Sequence, residues 1–436
     1  MKKRLLALGL AAAMVFSLAA CGGEEKEEAD PSKVIDDTEC DLTFWHIFVE
    51  DEKLAIIDDY IEEFNEAYPN VHIEQDYVND EEYVSKLQVA AANGTQGDVF
   101  FSYGGGQAKP YAESGVVMPL DEYFEESGIG DKLLPGSLTY CTYDGKAYGI
   151  PLKQWAGVLF CNQALFDEYG VEIPTTWDEF QAAIDTFKEN GVTPLALGAG
   201  DAWHVQSYQN AFAVRYAGPD AVNKMLNGEE SFVNDDIIKS AQTIIDLNNE
   251  GAFTENTLGY SAEEAEAEFY MGNVAMFYGG SWSCMEVDKD GSGIQGNCTV
   301  TYLPTVPDGK GDETTYSGGV IDFLMVNQNT ENPDIALAFA SGMAERMSEE
   351  FYKIGDSLPA WKTDGIDESE VSPTLLAIQK LTENATGYVL AWDTVLDSSL
   401  TEVHYNLCQG LISGEVTAEE FAEGMQSAME EYMASN

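Results

Sequence analysis

Tryptophans beside short polar side chains are the most chemically suggestive feature of this sequence, which contains seven of them in 436 residues. Trp203 lies in the polar stretch 200–204, and Trp392 is followed directly by Asp393. An indole ring offers a flat apolar face, while neighbouring amides, hydroxyls and carboxylates form hydrogen bonds. A sugar presents C–H faces above and below its ring and hydroxyls around the rim. These residues are therefore candidates for a carbohydrate site, although each of them could instead be a packed core residue.

Motifs for other chemistries are weak. The run 291–296 fits GxGxxG, but it precedes a predicted strand instead of joining a strand to a helix, as phosphate binding requires. The run 288–291 is similar to the start of a calcium loop, but Thr299 stands where a bidentate Glu is needed. The glycines at 104–106 follow a strand, yet no Lys-Ser/Thr pair follows them. We predict no metal and no other cofactor.

The cysteines also lack metal-ligand spacing. Setting Cys21 aside leaves six, an even number that permits disulfides outside the cytoplasm. Cys284 and Cys298 bracket a glycine-rich loop and are the most plausible pair. The alternative is that all six are small buried apolar residues.

The N-terminus predicts export. Three cations at 2–4 precede the apolar stretch 5–18, which is too short to cross a bilayer but suits a signal peptide. The sequence Leu18-Ala19-Ala20-Cys21 resembles the lipobox of bacterial lipoproteins, in which the cysteine becomes the lipidated N-terminus. We expect residues 1–20 to be a signal peptide. Cys21 would anchor the chain to the outer face of the cell membrane, and residues 21–40 would form a disordered tether.

The rest of the chain alternates strand and helix patterns. Strands are predicted at 41–46, 71–77 and 98–101, with helices at 52–68 and 83–92 between them, so a parallel sheet covered by helices is expected. Capping-box patterns at 176–179 and 417–420 open two later helices. The length indicates two lobes, and the net charge of −56 opposes binding of nucleic acid or an anionic ligand.

Several segments, in order, resemble the extracytoplasmic solute-binding proteins of ABC importers, in the carbohydrate group that includes maltose-binding protein. The most specific are Pro174-Thr175-Thr176-Trp177-Asp178-Glu179-Phe180 and Gly272-Asn273-Val274-Ala275-Met276-Phe277, the latter followed by Gly280-Ser281-Trp282. The resemblance implies an α/β, two-lobed, type II periplasmic-binding-protein-like fold. Each lobe would be a mostly parallel sheet flanked by helices, with the ligand in the cleft. It assigns 41–149 and 317–355 to an N-lobe, and 150–316 and 356–436 to a C-lobe.

The same resemblance implies a lipid-anchored, monomeric, non-enzymatic subunit. It would capture an oligosaccharide by hinge closure and deliver it to the membrane permease of an ABC sugar importer. Two alternatives remain open at this stage. One is a secreted glycoside hydrolase, which needs two carboxylates at a defined separation; the other is a binding protein that feeds a sensor.

Within that fold, strand ends and lobe crossings supply further candidate ligand-binding residues. Trp282, after a strand and a Gly-Gly turn, is the first candidate for stacking in the C-lobe, whereas Trp177 in its capping box is expected to be structural. The other candidates are Trp45 and His46 after the first strand, Ser102 and Tyr103 after the third, Lys153, Gln154 and Trp155 after the first crossing, and Gly318 and Gly319, which permit close backbone approach near the second.

Overall fold

The structure of the protein, a computed structural model, describes residues 39–435, with the side chain of Glu81 excepted. Cys21, the predicted signal peptide and nearly all of the predicted tether lie outside the described residues.

Strands and helices alternate along the described chain. The strands are β1 (Cys40–His46), β2 (Val71–Tyr77), β3 (Val99–Tyr103), β4 (Thr142–Tyr143), β5 (Lys146–Ala147), β6 (Ile150–Asn162), β7 (Thr193–Leu195), β8 (Val274–Gly280), β9 (Cys298–Thr301), β10 (Thr315–Val326), β11 (Leu358–Pro359) and β12 (Gly387–Val389). The helices are α1 (Asp51–Ala67), α2 (Asp80–Asn93), α3 (Lys109–Ser114), α4 (Asp121–Ser127), α5 (Gln163–Tyr169), α6 (Trp177–Glu189), α7 (Ala202–Ala217), α8 (Pro219–Leu226), α9 (Asp235–Asn249), α10 (Ala262–Tyr270), α11 (Cys284–Asp288), α12 (Pro333–Ile354), α13 (Pro373–Thr382), α14 (Trp392–Val395), α15 (Ser398–Ser413) and α16 (Ala418–Ser435).

The main sheet has the strand order β2-β1-β3-β10-β6-β8-β7, with β9, β11 and β12 pairing off this path. Strands β1, β2 and β3 are parallel, as their β-α-β-α-β rhythm predicts. The long strands β6 and β10 are antiparallel to each other, and they also pair antiparallel with β8 and β3. The sheet is therefore mixed instead of mostly parallel, because the two long strands cross between the lobes in opposite directions.

Buried apolar residues divide into a core for each lobe. One core draws on residues between 40 and 152 and between 320 and 361, and it defines the N-lobe. The C-lobe is built around two clusters, formed chiefly by residues between 156 and 306 and between 371 and 429. The α/β, two-lobed class is confirmed, whereas the predicted boundaries stay a prediction. Ala360 and Trp361 pack in the N-lobe core, although 356–436 was assigned to the C-lobe.

Local sequence signals account for several elements. Thr176 and Glu179 form a reciprocal capping box at the start of α6, as predicted. The predicted box at the start of α16 also forms, since Glu420 N donates to Thr417 Oγ1 and Thr417 N donates to Glu420 Oε2.

No helix within residues 39–435 is both long and apolar enough to cross a membrane.

The cysteines and the rejected motifs have structural roles. All six cysteines in the described chain are free thiols, and only Cys298 is more than slightly exposed, so the expected pairing with Cys284 is not present. Asp288, at the start of the calcium-like segment, accepts hydrogen bonds from the first turn of α13 instead. Within the glycines 104–106, Gly106 N donates to Thr394 O at 3.2 Å, and a Cβ on Gly106 would lie 2.2 Å from Val395 O. These glycines therefore permit close contact between the lobes.

Candidate functional site

Strand pairing brings two of the predicted tryptophans together. Strands β6 and β8 are paired so that Gly157 lies opposite Gly280, which places Trp155 and Trp282 side by side. Their ring centroids are 5.2 Å apart, and the ring planes are inclined by 56°. Gly280 leaves room for the Trp282 ring in this position, because a Cβ there would lie 2.1 Å from the ring. The Gly-Gly turn thus lets the indole fold back over the end of its own strand.

The two indoles lie at a cavity of about 290 Å³ that is partly open to solvent. Helix α7 contributes polar side chains to it. Strands β6, β8 and β10, the turn after β8 that carries Trp282, and the segment before α14 contribute the remainder. The described lining residues carry neutral side chains or are glycine: Trp155, Gly157, Ser207, Asn210, Tyr278, Gly279, Gly280, Trp282, Ser317 and Ala391. The cavity therefore combines apolar ring faces with uncharged hydrogen-bonding groups.

Two polar groups in this lining are held in different ways. The Tyr278 hydroxyl hydrogen-bonds Ser317, and burial raises the pKa of Tyr278 above its ordinary value. Asn210 is 3 % exposed, and neither its Oδ1 nor its Nδ2 has a hydrogen-bond partner in the described structure. Asn210 therefore has its full hydrogen-bonding capacity available to whatever occupies the cavity.

Trp203 lies on the first turn of α7, and not in a loop as the polar sequence around it suggested. Ser207 follows one turn later and donates its hydroxyl to Trp203 O at 3.0 Å. Residues 203, 207 and 210 share one face of the helix because they are spaced by four and three positions. The partly exposed Trp203 ring is thus on the face that contributes Ser207 and Asn210 to the cavity.

Trp392 is a core residue, which corrects its interpretation as a stacking platform. It is 0 % exposed and stacks on His404, with 4.7 Å between ring centroids. Its other neighbours belong to the C-lobe core, so the ring has no free face for a ligand. The adjacent Ala391 lines the cavity instead. Asp393 is half-buried and accepts a hydrogen bond from Tyr405 Oη at 2.8 Å. Its side chain also hydrogen-bonds Gln206, and burial raises its pKa.

Trp45 and His46 are also placed away from the tryptophan pair. Lys86 Nζ covers the Trp45 ring at 4.2 Å from its centroid, and Gly97 leaves room for the edge of that ring. His46 is fully buried and stacks on Tyr77, and burial lowers its pKa to about 4. Both residues pack within the N-lobe, because strand alternation points Trp45 towards α2 and His46 towards the opposite layer.

Ser102 and Tyr103 end β3 as predicted, but they line a separate N-lobe hollow of about 210 Å³. Ser102 is buried, and its hydroxyl donates to Tyr103 O at 2.9 Å. The Tyr103 hydroxyl donates to Asp80 Oδ1 at 3.0 Å, and burial raises the pKa of Tyr103 well above its ordinary value. The structure therefore does not bring this pair into contact with Trp155 and Trp282.

Lys153 belongs to a buried ion-pair cluster. Its Nζ lies 2.9 Å from Asp356 Oδ2 and 3.5 Å from Asp322 Oδ2. The other oxygen of Asp356 accepts from Lys53 Nζ at 2.7 Å. Burial opposes the ionised form of Asp356, but the two lysines overcome it and hold the pKa of Asp356 below its usual range. Burial also raises the pKa of Asp322 to about 6. Lys153 thus pairs with carboxylates of its own chain, and its contact with a ligand stays a prediction.

The two glycines of β10 serve packing and not ligand approach. Gly318 has a φ of +136°, and a Cβ there would lie 2.2 Å from Trp155 O. A Cβ on Gly319 would lie against Leu390 and Tyr140. Gln154, the predicted ligand-binding neighbour of Lys153, hydrogen-bonds Tyr388 through its side chain. Gly318 therefore acts on the cavity only indirectly, by letting β10 pack closely on the backbone of Trp155.

Sequence reasoning missed the polar lining residues Ser207, Asn210, Tyr278 and Ser317. Asn210 lies in the middle of α7 and directly follows another amide, Gln209, so nothing in its local sequence distinguishes it. One signal could have found it, since 203, 207 and 210 recur at helical spacing after a candidate tryptophan.

The two lobes, the strands that cross between them, and a cavity lined by residues of the C-lobe and of the crossing strands define the class of a two-lobed binding protein. The sequence matches the model of the family described as bacterial extracellular solute-binding protein over residues 50–345, so the chain belongs to that family.

Individual relatives agree with the family. The chain is 28 % identical over 292 residues to an uncharacterized ABC transporter extracellular-binding protein of Pyrococcus horikoshii, and it spans 65 % of that relative's length and 65 % of its own. It is 24 % identical to the multiple sugar-binding protein of Streptococcus mutans, over 88 % of this chain and 87 % of the relative.

Solved structures give closer matches. One, from work on xylan utilization by the thermophilic bacterium Caldanaerobius polysaccharolyticus, has a TM-score of 0.85 and 38 % identity, covering 89 % of this chain and 99 % of the other. A chitin oligosaccharide binding protein has a TM-score of 0.83 and 28 % identity, covering 90 % and 99 %.

Proposed function

We propose that this chain is the substrate-binding subunit of an ABC sugar importer and that its ligand is a neutral oligosaccharide. The observation that carries the proposal is the Trp155–Trp282 pair, with ring centroids 5.2 Å apart, at a cavity lined by neutral polar groups. The ring faces suit the C–H faces of a sugar, and amide and hydroxyl groups suit its hydroxyl rim.

The proposed ligand class is a β-1,4-linked oligosaccharide. Two of the solved structures that this fold matches are associated with xylan and with chitin oligosaccharides, and both polymers are β-1,4-linked chains of neutral sugars. The electrostatics of this chain support a neutral ligand, because a net charge of −56 repels anions.

We further propose that ligand binding closes the lobes and that the closed form delivers the sugar to a membrane permease without chemical change. The anchor would be a lipid on Cys21, as the lipobox resemblance implies. Labelling with radioactive palmitate in a bacterial host tests this anchor. Wild type should incorporate label and Cys21→Ser should not; equal labelling of the two would overturn the lipid anchor while leaving sugar binding intact.

The ligand is tested by isothermal titration calorimetry with xylo-oligosaccharides, acetylated chito-oligosaccharides and maltotriose as an α-linked control. A β-1,4-linked member should bind, and Trp282→Ala should weaken that binding by about 30-fold, the size expected for a buried aromatic anchor. Trp45→Ala is the matched control, because Lys86 covers that ring outside the cavity. Equal affinity of wild type and Trp282→Ala would contradict the site.

The same mixtures separate binding from catalysis. After prolonged incubation, chromatography should recover the bound oligosaccharide at its original length. Progressive shortening would instead indicate a glycoside hydrolase, which uses two carboxylates on either side of the scissile bond.

A further inference from the structure

The deep wall of the cavity carries a buried amide without partners. Asn210 lines the cavity, is 3 % exposed, and has no partner in residues 39–435 for either Oδ1 or Nδ2. Leaving a buried polar group unpaired costs about 1–3 kcal/mol. A leucine at this position would fill the space without that cost, so the amide is explained if a bound molecule satisfies it.

The polar atoms of the lining show which kind of molecule fits. The amide of Asn210 offers an acceptor oxygen and a donor nitrogen, both buried and unpaired in the described structure. The lining residues Ser207 and Ser317 add hydroxyl groups to the same cavity. This lining favours a group that donates hydrogen bonds as readily as it accepts them.

A hydroxyl edge has this property, because each hydroxyl donates one hydrogen bond and accepts others. A carboxylate edge, as in an acidic sugar, only accepts hydrogen bonds, so it would leave the oxygen of Asn210 without a donor. The C–H faces of a sugar ring need an apolar surface, and the rings of Trp155 and Trp282 supply one in the same cavity. A neutral sugar unit satisfies both sides at once.

We propose that Asn210 is a specificity-determining residue of this site. Its Nδ2 donates to one hydroxyl, and its Oδ1 accepts from the adjacent hydroxyl, of the sugar unit that lies against Trp155 and Trp282. The inference rests on the proposed function, and it adds that an uncharged vicinal diol is the group that is recognised.

The test measures affinity by isothermal titration calorimetry for xylotriose and for N,N′,N″-triacetylchitotriose. Asn210→Ala removes both polar atoms and should weaken binding of the preferred trisaccharide by about 10–100-fold, the worth of two neutral hydrogen bonds. Asn210→Asp keeps the shape and two acceptors, and it should lose less. Asn65→Ala is the matched control, because Asn65 also has a buried unpaired Oδ1 but lies on α1 in the N-lobe, and its affinity should equal that of wild type.

The outcomes separate the inference from the proposed function. If Asn210→Ala binds the trisaccharide with the affinity of wild type, the role of Asn210 is overturned and the proposed function is not. The amide of Asn210 would then hold only buried water. An equal loss in Asn65→Ala also overturns it, because the effect would be general. Failure of wild type to bind either trisaccharide overturns both proposals. Thermal unfolding of each unliganded variant shows that the fold is kept, and Asn210→Asp supplies the comparison if Asn210→Ala is unstable.

Discussion

At the scale of single residues, the chemistry of the candidate site depends on which side chains keep a face or an atom free. Trp155 and Trp282 were predicted from sequence, and pairing of β6 with β8 brings their rings together. Trp392 has an equally polar local sequence, yet it is buried against His404. Sequence could not separate these cases, because residue type and neighbours do not specify strand register or which side of a short helix faces the core.

Buried histidines give a pH-dependent contribution to stability. His404 is fully buried, its Nε2 lies 3.1 Å from Gln209 Oε1, and burial lowers its pKa from 6.5 to about 3. His404 in the unfolded chain therefore becomes protonated as the pH falls through 6.5. In the folded chain it stays neutral until the pH falls to about 3. The resulting stability is present above pH 6.5 and is lost as the pH falls towards 3.

We predict that His404→Gln removes this dependence, because a glutamine amide can still donate to Gln209 but does not titrate. The free energy of unfolding of wild type, measured with urea from pH 7.5 to 4.5, should fall relative to that of the variant by about 1.4 kcal/mol per pH unit below pH 6. Buried groups shared by the two proteins cancel in this comparison. Parallel pH curves would show that His404 is not held neutral by the fold.

At the scale of elements, sequence patterns predict the first three strands, the helices between them and two helix caps. These features depend on local periodicity and on capping chemistry within four residues, which one sequence contains. The role of Gly318 could not be predicted in the same way. A glycine pair in a strand indicates close approach of something, but here it is the carbonyl oxygen of Trp155 on the neighbouring strand.

Replacement of Gly318 by alanine should therefore destabilise the protein and distort the site. The backbone conformation at φ +136° is strained for alanine, and its Cβ would lie 2.2 Å from Trp155 O. We expect a loss of at least about 3 kcal/mol in unfolding free energy and weaker sugar binding, because Trp155 must shift.

Gly387→Ala is the matched control for this prediction. Gly387 lies on β12 and pairs with β10 opposite Thr315, but a Cβ there meets nothing within 4 Å. This variant should be neutral or stabilised by up to about 1 kcal/mol. Urea unfolding measures both proteins, and equal stability of the two would contradict the packing role of Gly318.

At the scale of the whole molecule, one buried ion-pair cluster joins the segments that link the lobes. Asp356 lies two residues after α12, Lys153 lies on β6, Asp322 lies on β10, and Lys53 comes from α1 in the N-lobe. Both crossing strands and the segment after α12 thus contribute a charge to the same cluster. The sequence could not reveal it, because the four residues are spread over about three hundred positions and only the fold brings them together.

Asp356 is the centre of this cluster, since its two oxygens contact Lys53 at 2.7 Å and Lys153 at 2.9 Å and its side chain is 1 % exposed. We predict that Asp356→Asn costs about 3–5 kcal/mol in unfolding free energy, because two buried ammonium groups lose their shared carboxylate.

Glu113→Gln is the control. It breaks the Lys109–Glu113 pair, in which both side chains are 59 % exposed, and it should change stability by less than about 1 kcal/mol. Urea unfolding compares the two variants with wild type, and titration with xylotriose tests the consequence for binding. Because the cluster lies on the crossing strands about which we propose that the lobes close, Asp356→Asn should also alter the affinity, whereas Glu113→Gln should not. An Asp356→Asn protein as stable as wild type would show that the crossings do not depend on this cluster.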